Sequence, residues 1–403
     1  MKNTLGTTSR DRILKTLDHK EPDEIPRDLG GTESSSLSAA SFIKVSRYLD
    51  LDEKPYVYEP FQYVAYTGDH IKDRFMIDTD NLTTAPKKWN IVKNPNGYRV
   101  FLPEKWKEIY NSDGSTSVVN DHGKIIAKRP QNGYYFDPVS PMLEDISELN
   151  EVDLYMKDIQ SFDWPFFADE SMEDLKKRAV SIYRNDRCVV FNLCCHILAA
   201  GQLLRGYENF MIDMLTDEKM TNKILDHLLE GYISRIKKLA PLLKDSIDIV
   251  LLNDDLGTQN GPMLSPELYR KMIKPYQKKL FYEVKKEFGK PILFHSCGSI
   301  REFIPDLIEI GVDAINPVQL SAKNMDLKNL KKDFGDSVTF WGGGIDTQNV
   351  LNHGTIHEVR ESIKRNIDIL APGGGFVFCQ VHNIQADVPV ENINAMYEIL
   401  DDI

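Results

Sequence analysis

A histidine and a cysteine stand two residues apart in Pro291-Ile-Leu-Phe-His295-Ser-Cys297-Gly298, a short apolar run. Side chains at i and i+2 of a strand leave the same face, so this imidazole and this thiol can converge on one point. Both are good zinc donors, and a convergent pair at a strand end suits an ion that activates a substrate. A catalytic zinc takes three protein ligands and keeps a fourth position open, so another donor is needed. Cys379 and His382 stand at the end of the last apolar strand, and either can supply it. Two carboxylates, Asp254 and Asp255, follow the strand before the His/Cys strand, where they can act as general acid or as a further metal contact. Cys194, Cys195 and His196 cluster at another strand end and read as packing, because free cysteine is commonly core. The Gly342–Gly344 and Gly373–Gly375 runs lack the Lys-Ser/Thr of a phosphate loop and read as tight turns.

These residues need a frame that puts strand ends side by side. From about residue 186 onward, apolar strands alternate with amphipathic helices. Strands are predicted over 188–193, 247–253, 291–297, 313–317, 338–342 and 374–380, with helices over 202–215 and 217–243. Ser265-Pro266-Glu267, Ser299-Ile-Arg-Glu302, Thr355-Ile-His-Glu358 and Pro389 mark further helix starts. Strands separated by single helices pair in parallel, since a parallel crossover needs a long connection. With an N-terminal strand near 24–29, the pattern predicts an α/β fold, a (β/α)8 TIM barrel running as a single domain over 1–403. In such barrels the chemistry sits at the C-terminal strand ends, where the candidate residues fall. An open doubly wound sheet is the alternative, but no GxGxxG follows the first strand. Residues 85–140 differ: Asn94-Pro-Asn-Gly97, Ser112-Asp-Gly114, Asp121-His-Gly123 and Gln131-Asn-Gly133 are turn signals between short alternating segments. They predict a small antiparallel β insertion over one end of the barrel.

Composition limits the partners. Lys and Arg total 49 against 61 Asp and Glu, a formal net charge of −12, which argues against nucleic acid. No apolar run is long enough to span a bilayer, and the first ten residues lack an apolar signal core, so a cytoplasmic location is expected. Five cysteines, odd in number and sparse, read as thiols rather than a disulfide framework.

Several motifs taken together resemble the uroporphyrinogen decarboxylase superfamily. They are Phe294-His-Ser-Cys-Gly298, Trp341-Gly-Gly-Gly-Ile-Asp346, and His382-Asn-Ile384 with Pro389-Val-Glu-Asn-Ile393-Asn-Ala-Met396. Leu264-Ser-Pro-Glu-Leu-Tyr269, Lys274-Pro-Tyr276 with Lys279, and Glu21-Pro-Asp-Glu-Ile-Pro-Arg-Asp-Leu-Gly30 add to the likeness. The resemblance spans nearly the whole chain apart from the insertion and implies a (β/α)8 barrel. Decarboxylases of this family carry an arginine-rich segment after the first strand that holds substrate carboxylates. Here that place reads Asp28-Leu-Gly-Gly-Thr-Glu-Ser-Ser-Ser36, without arginine.

The other branch, corrinoid-dependent methyltransferases, uses zinc held by His-x-Cys and a later cysteine. The resemblance therefore implies zinc on His295 and Cys297, with His382 somewhat preferred to Cys379 as third ligand and Asp254 as a candidate fourth contact. It implies methyl transfer between a small methylated substrate, such as a methyl ether or thiol, and a corrinoid (cobalamin) carried by a partner protein. A homodimer is compatible with this reading. Asp254 or Asp255 would protonate a departing oxygen, and the aromatic stretch Tyr56–Tyr66 would line a pocket or fill core. The alternatives are a uroporphyrinogen decarboxylase-like decarboxylase and a non-catalytic scaffold on the same barrel.

Overall fold

The computed structural model describes residues 7–93, 97–163 and 168–403. Its centre is a sheet of seven parallel strands in the spatial order of the chain: β1 (Thr79–Leu82), β2 (Cys188–Asn192), β3 (Ile249–Asn253), β4 (Ile292–His295), β5 (Ala314–Asn316), β6 (Thr339–Trp341) and β7 (Phe376–Val377). The gap between β7 and β1 is closed by residues 26–28. Phe378 N–H donates to Pro26 O and Asp28 N–H to Phe378 O, each at 2.8 Å, while Asp78 N–H donates to Arg27 O at 2.9 Å. The sheet thus curls into the expected (β/α)8 barrel. The N-terminal strand predicted over 24–29 is reduced to one bridge, Arg27 to Phe378. Proline 26 has no N–H to give a ladder, and Arg27 N–H turns to the Asp78 carboxylate at 2.8 Å instead.

Alternation along the strands sorts the core into two shells. Cys188, Val190, Ile249, Leu251, Leu293, Ala314, Trp341, Val377 and Cys379 fill the barrel interior. Phe191, Leu252, Phe294, Phe340 and Phe378 face outward into the apolar layer formed with the helices. One more step of the same alternation puts Asn253, His295 and Asn316 inward at the C-terminal mouth, and these three are directly paired across β3, β4 and β5.

The helix expected over 202–215 is two, Leu198–Arg205 (α1) and Tyr207–Thr216, because Gly206 between them has φ +89°. Glu218–Leu243 forms one long helix capped by Asp217, and Ser265 and Thr355 cap as predicted. Ser299 does not. Its hydroxyl donates to Lys323 O at 2.6 Å, and the chain there enters a 3-10 turn at Arg301–Phe303 before the helix Ile304–Glu309, whose first turn holds Pro305. The Gly342–Gly344 run serves packing: a Cβ on Gly344 would lie 2.4 Å from the Phe378 ring, and one on Gly343 2.9 Å from Val318.

Between the first two barrel strands lie antiparallel strands Trp89–Lys93 with Arg99–Pro103, and Lys107–Tyr110, Thr116–Val119, Ile125–Arg129 and Asp137–Pro138. Most of the turn predicted at 94–97 lies outside the described residues. Among the described residues, no helix is long and apolar enough to cross a membrane.

Candidate metal centre and its cavity

His295 ends β4, and Cys297 follows in a turn fixed by close backbone contact. Gly298 has φ +83°, and a Cβ there would sit 2.5 Å from the Gly257 carbonyl carbon. That contact presses the turn onto the loop after β3, where Asp255 Oδ1 accepts the Cys297 N–H at 2.9 Å. His295 Nε2 lies 3.4 Å from Cys297 Sγ and 3.9 Å from Asp255 Oδ1. His382, delivered by the loop after β7, completes the group: ligand atoms of His295, Cys297 and His382 all lie within 4.8 Å of one another.

Both rings are oriented by asparagines. His295 Nδ1 is 2.8 Å from Asn316 Oδ1, and His382 Nδ1 is 2.9 Å from Asn383 Oδ1. Each amide is itself pinned. Asn316 Nδ2 donates to Trp341 O at 2.9 Å, so its Oδ1 is the acceptor. Asn383 Nδ2 donates to Gln62 Oε1 at 2.7 Å, and its Oδ1 also accepts the Tyr135 hydroxyl at 3.0 Å. Each histidine therefore carries its proton on Nδ1 and leaves its Nε2 lone pair free, that of His295 facing Cys297 Sγ, an outer-layer arrangement suited to a metal ligand. Burial pushes His382 down to about 4, which keeps it a neutral donor. Burial, reinforced by Asp255, pushes the Cys297 thiol up, a trend that a bound divalent cation reverses.

Cys379 is not part of this group. Alternation points it into the barrel interior, fully buried, with its sulfur 3.9 Å from Asn316 Nδ2, a layer beneath the mouth. Asp254 and Asp255 also separate. Asp254 is 2 % exposed and its carboxylate accepts the N–H groups of Ile197, Leu198 and Ala199 at 3.0, 2.9 and 2.8 Å, at the start of α1. Gln277 Nε2, from the helix Lys274–Phe288 (α2), adds a fourth bond at 2.9 Å. Burial pushes Asp254 up to about 6 against the pull of those donors. Asp255, with its side chain 52 % exposed, stands beside the histidine and cysteine.

The group opens on a cavity of about 660 Å³. Its walls include Glu33, Ser34, Glu59, Phe61 and Gln62 from the N-terminal segments, and His196 and Gln202 from around α1. Tyr135, Phe136 and Asp137, at the end of the β insertion, form another wall. Within the aromatic stretch, Phe61 lines this cavity, whereas the buried Tyr58 and half-buried Tyr66 stack on each other at 4.3 Å between ring centres. Sequence reasoning passed over Asn316, Asn383, Glu33, Glu59 and Tyr135, and it assigned His196 to packing. The strand parity that selected His295 also selects Asn316. Asn383 follows a candidate ligand directly. The carboxylates and the tyrosine sit in segments without periodicity and give no such signal.

Fold and site together define a (β/α)8 barrel with a histidine–cysteine–histidine group beneath a walled cavity at its C-terminal rim. Residues 190–403 match the family model described as Uroporphyrinogen decarboxylase (URO-D), and the chain belongs to that family. It is 24% identical over 219 residues to the uroporphyrinogen decarboxylase of Legionella pneumophila (strain Corby), covering 53% of this chain and 56% of the relative. The chain thus spans little more than half the length of that curated relative. It is 23% identical over 288 residues to the enzyme of the same name from Prochlorococcus marinus (strain MIT 9515), covering 68% and 76% of the two chains. Among solved structures, a methyltransferase from Methanosarcina mazei aligns over 98% of both chains with TM-score 0.60 and 13% identity, a likeness of fold.

Proposed function

We propose that this chain is a zinc-dependent methyltransferase that moves a methyl group between a small methylated substrate and a corrinoid protein. The observation that carries the reading is the convergence of His295, Cys297 and His382 within 4.8 Å at the cavity floor, with both Nε2 lone pairs freed by asparagine partners. Two imidazoles and a thiol are a zinc donor set, and a three-ligand site leaves a place for substrate. Bound zinc supplies Lewis acidity to the substrate heteroatom. The chain's own groups do the rest. Asn316 and Asn383 hold the rings in one tautomer. Asp255, half exposed at the cavity wall, is placed to take or return the proton at the substrate oxygen or sulfur. The insertion residues Tyr135 and Phe136 wall the cavity that the donors face. The cavity opens at the barrel rim, the side from which a corrin on a partner would approach.

The solved methyltransferase of similar fold is consistent with this reading. A porphyrinogen decarboxylase fits less well. Among the described residues the cavity walls hold Glu33, Glu59, Asp137, Asp254 and Asp255 and neither lysine nor arginine, so a substrate bearing several carboxylates would meet like charge. The test is metal analysis after zinc-replete purification. About one zinc per chain is expected, lost in a His295→Ala/Cys297→Ala double variant, together with methylation of reduced cobalamin by candidate methyl donors. A metal-free, correctly folded protein would defeat the proposal.

A further inference from the structure

The cavity has an unusual charge inventory for a pocket lined by polar groups. Glu59 is 4 % exposed, and among the described residues its oxygens accept the N–H groups of Phe61 and Gln62, at 3.2 and 2.7 Å. Glu33 accepts from the Asn192 amide. Among the described residues, neither carboxylate has a lysine or arginine within ion-pair distance. A divalent ion below would be balanced formally by the Cys297 thiolate and Asp255, leaving Glu33 and Glu59 without a counter-charge. Holding carboxylates away from bulk water in that state is unfavourable unless a cation arrives or they take up protons. Burial raises Glu33 above the ordinary carboxylate range, and burial together with Glu33 pushes Glu59 up to about 8, the direction expected of carboxylates that lack a counter-charge.

Two further features point to a ligand. His196 is nine-tenths buried and lines the same cavity, and its Nδ1 has no hydrogen-bond partner among the described residues. Phe61, Tyr135, Phe136 and Tyr207 supply aromatic surface, which attracts a cation through the ring quadrupole. Building on the function proposed above, we infer that the methylated substrate carries a positively charged nitrogen, an amine or quaternary ammonium, which Glu33, Glu59 and the aromatic wall hold. Substrates bearing carboxylate, sulfonate or phosphate are excluded by the same walls.

The experiment is calorimetric titration of the zinc-loaded full chain, at one ionic strength, with three ligands of similar size. These are methoxyethylamine (a cation at neutral pH), ethylene glycol dimethyl ether (neutral) and methoxyacetate (an anion). The amine is expected to bind at least tenfold more tightly than the ether, with methoxyacetate weakest. Glu33→Gln and Glu59→Gln should each erode the amine's advantage at least threefold and leave the ether unchanged. Equal affinities, a preference for methoxyacetate, or no binding by any of the three overturns the inference. Should a glutamine variant misfold, competition on the unaltered chain decides. Tetramethylammonium chloride must displace methoxyethylamine where sodium chloride at equal strength does not, and failure to do so also overturns it. Zinc content and cobalamin methylation are read on the same preparation. Their loss defeats the proposed function, whereas a neutral or anionic ligand preference with both intact defeats only the charge assignment.

Discussion

Asp254→Ala should unfold the rim of the barrel rather than merely silence it. Asp254 takes four hydrogen bonds, from Ile197, Leu198 and Ala199 N–H and from Gln277 Nε2. Ala199 is only half-buried and lines the cavity, so water can replace its partner. Ile197, Leu198 and Gln277 are buried and would be left as orphaned donors. At about 1 kcal/mol or somewhat more for each, the loss is roughly 3–5 kcal/mol, well above the usual cost of an exposed cap. Asp255→Ala removes one acceptor, for Cys297 N–H, from a half-exposed side chain, at a cost of about 1 kcal/mol or less. Urea unfolding followed by circular dichroism should therefore separate the two variants by at least ~2 kcal/mol. Asp255→Ala keeps the fold and loses turnover. An Asp254→Ala protein with an unchanged midpoint and no activity would refute the reasoning, because it would make Asp254 the reacting carboxylate and not the clamp on α1.

Three further outcomes follow from the same geometry. Asn383→Ala frees the His382 ring and should weaken zinc binding about tenfold to a hundredfold, read by competition with a chelating dye; an unchanged affinity would remove Asn383 from the site. Cys379→Ala should leave zinc content at about one per chain while costing about 1–2 kcal/mol of stability, since its sulfur fills the barrel interior; loss of the metal would restore Cys379 as a ligand. Glu59, pushed from 4.5 up to about 8 by burial, holds a proton in the folded chain that the unfolded chain has released. Its contribution is full below about pH 4.5 and fades as pH rises toward 8, by ~5 kcal/mol at most, so stability should fall across that window. Glu59→Gln should flatten that slope, and an equal slope in both proteins would show that other groups cause it.

The barrel was readable because its second half repeats one unit, an apolar strand followed by a capped helix. The places where the reading failed have local causes. Proline 26 and the side-chain bond from Arg27 N–H to Asp78 deny residues 24–29 a ladder. Gly206 cuts one expected helix in two, and a 3-10 turn displaces the cap expected at Ser299. Strand parity put His295 at the mouth, while Cys297, past the end of β4, meets it through the turn at Gly298. Parity could not choose between Cys379 and His382, because that choice depends on where β7 ends. The strand stops at Val377, a bridge from Gln380 to Ile345 carries the chain to the rim, and His382 then turns over the mouth while Cys379 stays inside.

Electrostatics shows the same division between what is local and what is assembled. A formal net charge of −12 was enough to argue against nucleic acid, yet it says nothing about where the negative charge gathers. Glu33 lies in a serine-rich loop, Glu59 at the end of a short strand, and Tyr135 in the insertion. No spacing rule links three such segments. The barrel does so physically, because Ser34 Oγ donates to Asn316 Oδ1 at 2.5 Å and Phe136 N–H to Phe61 O at 2.8 Å. The first bond ties the Glu33 loop to the asparagine that orients His295, and the second ties the insertion to the turn after Glu59. The walls that select a substrate by charge are thus anchored to the residues that would hold the metal, and a change in either should be felt by the other.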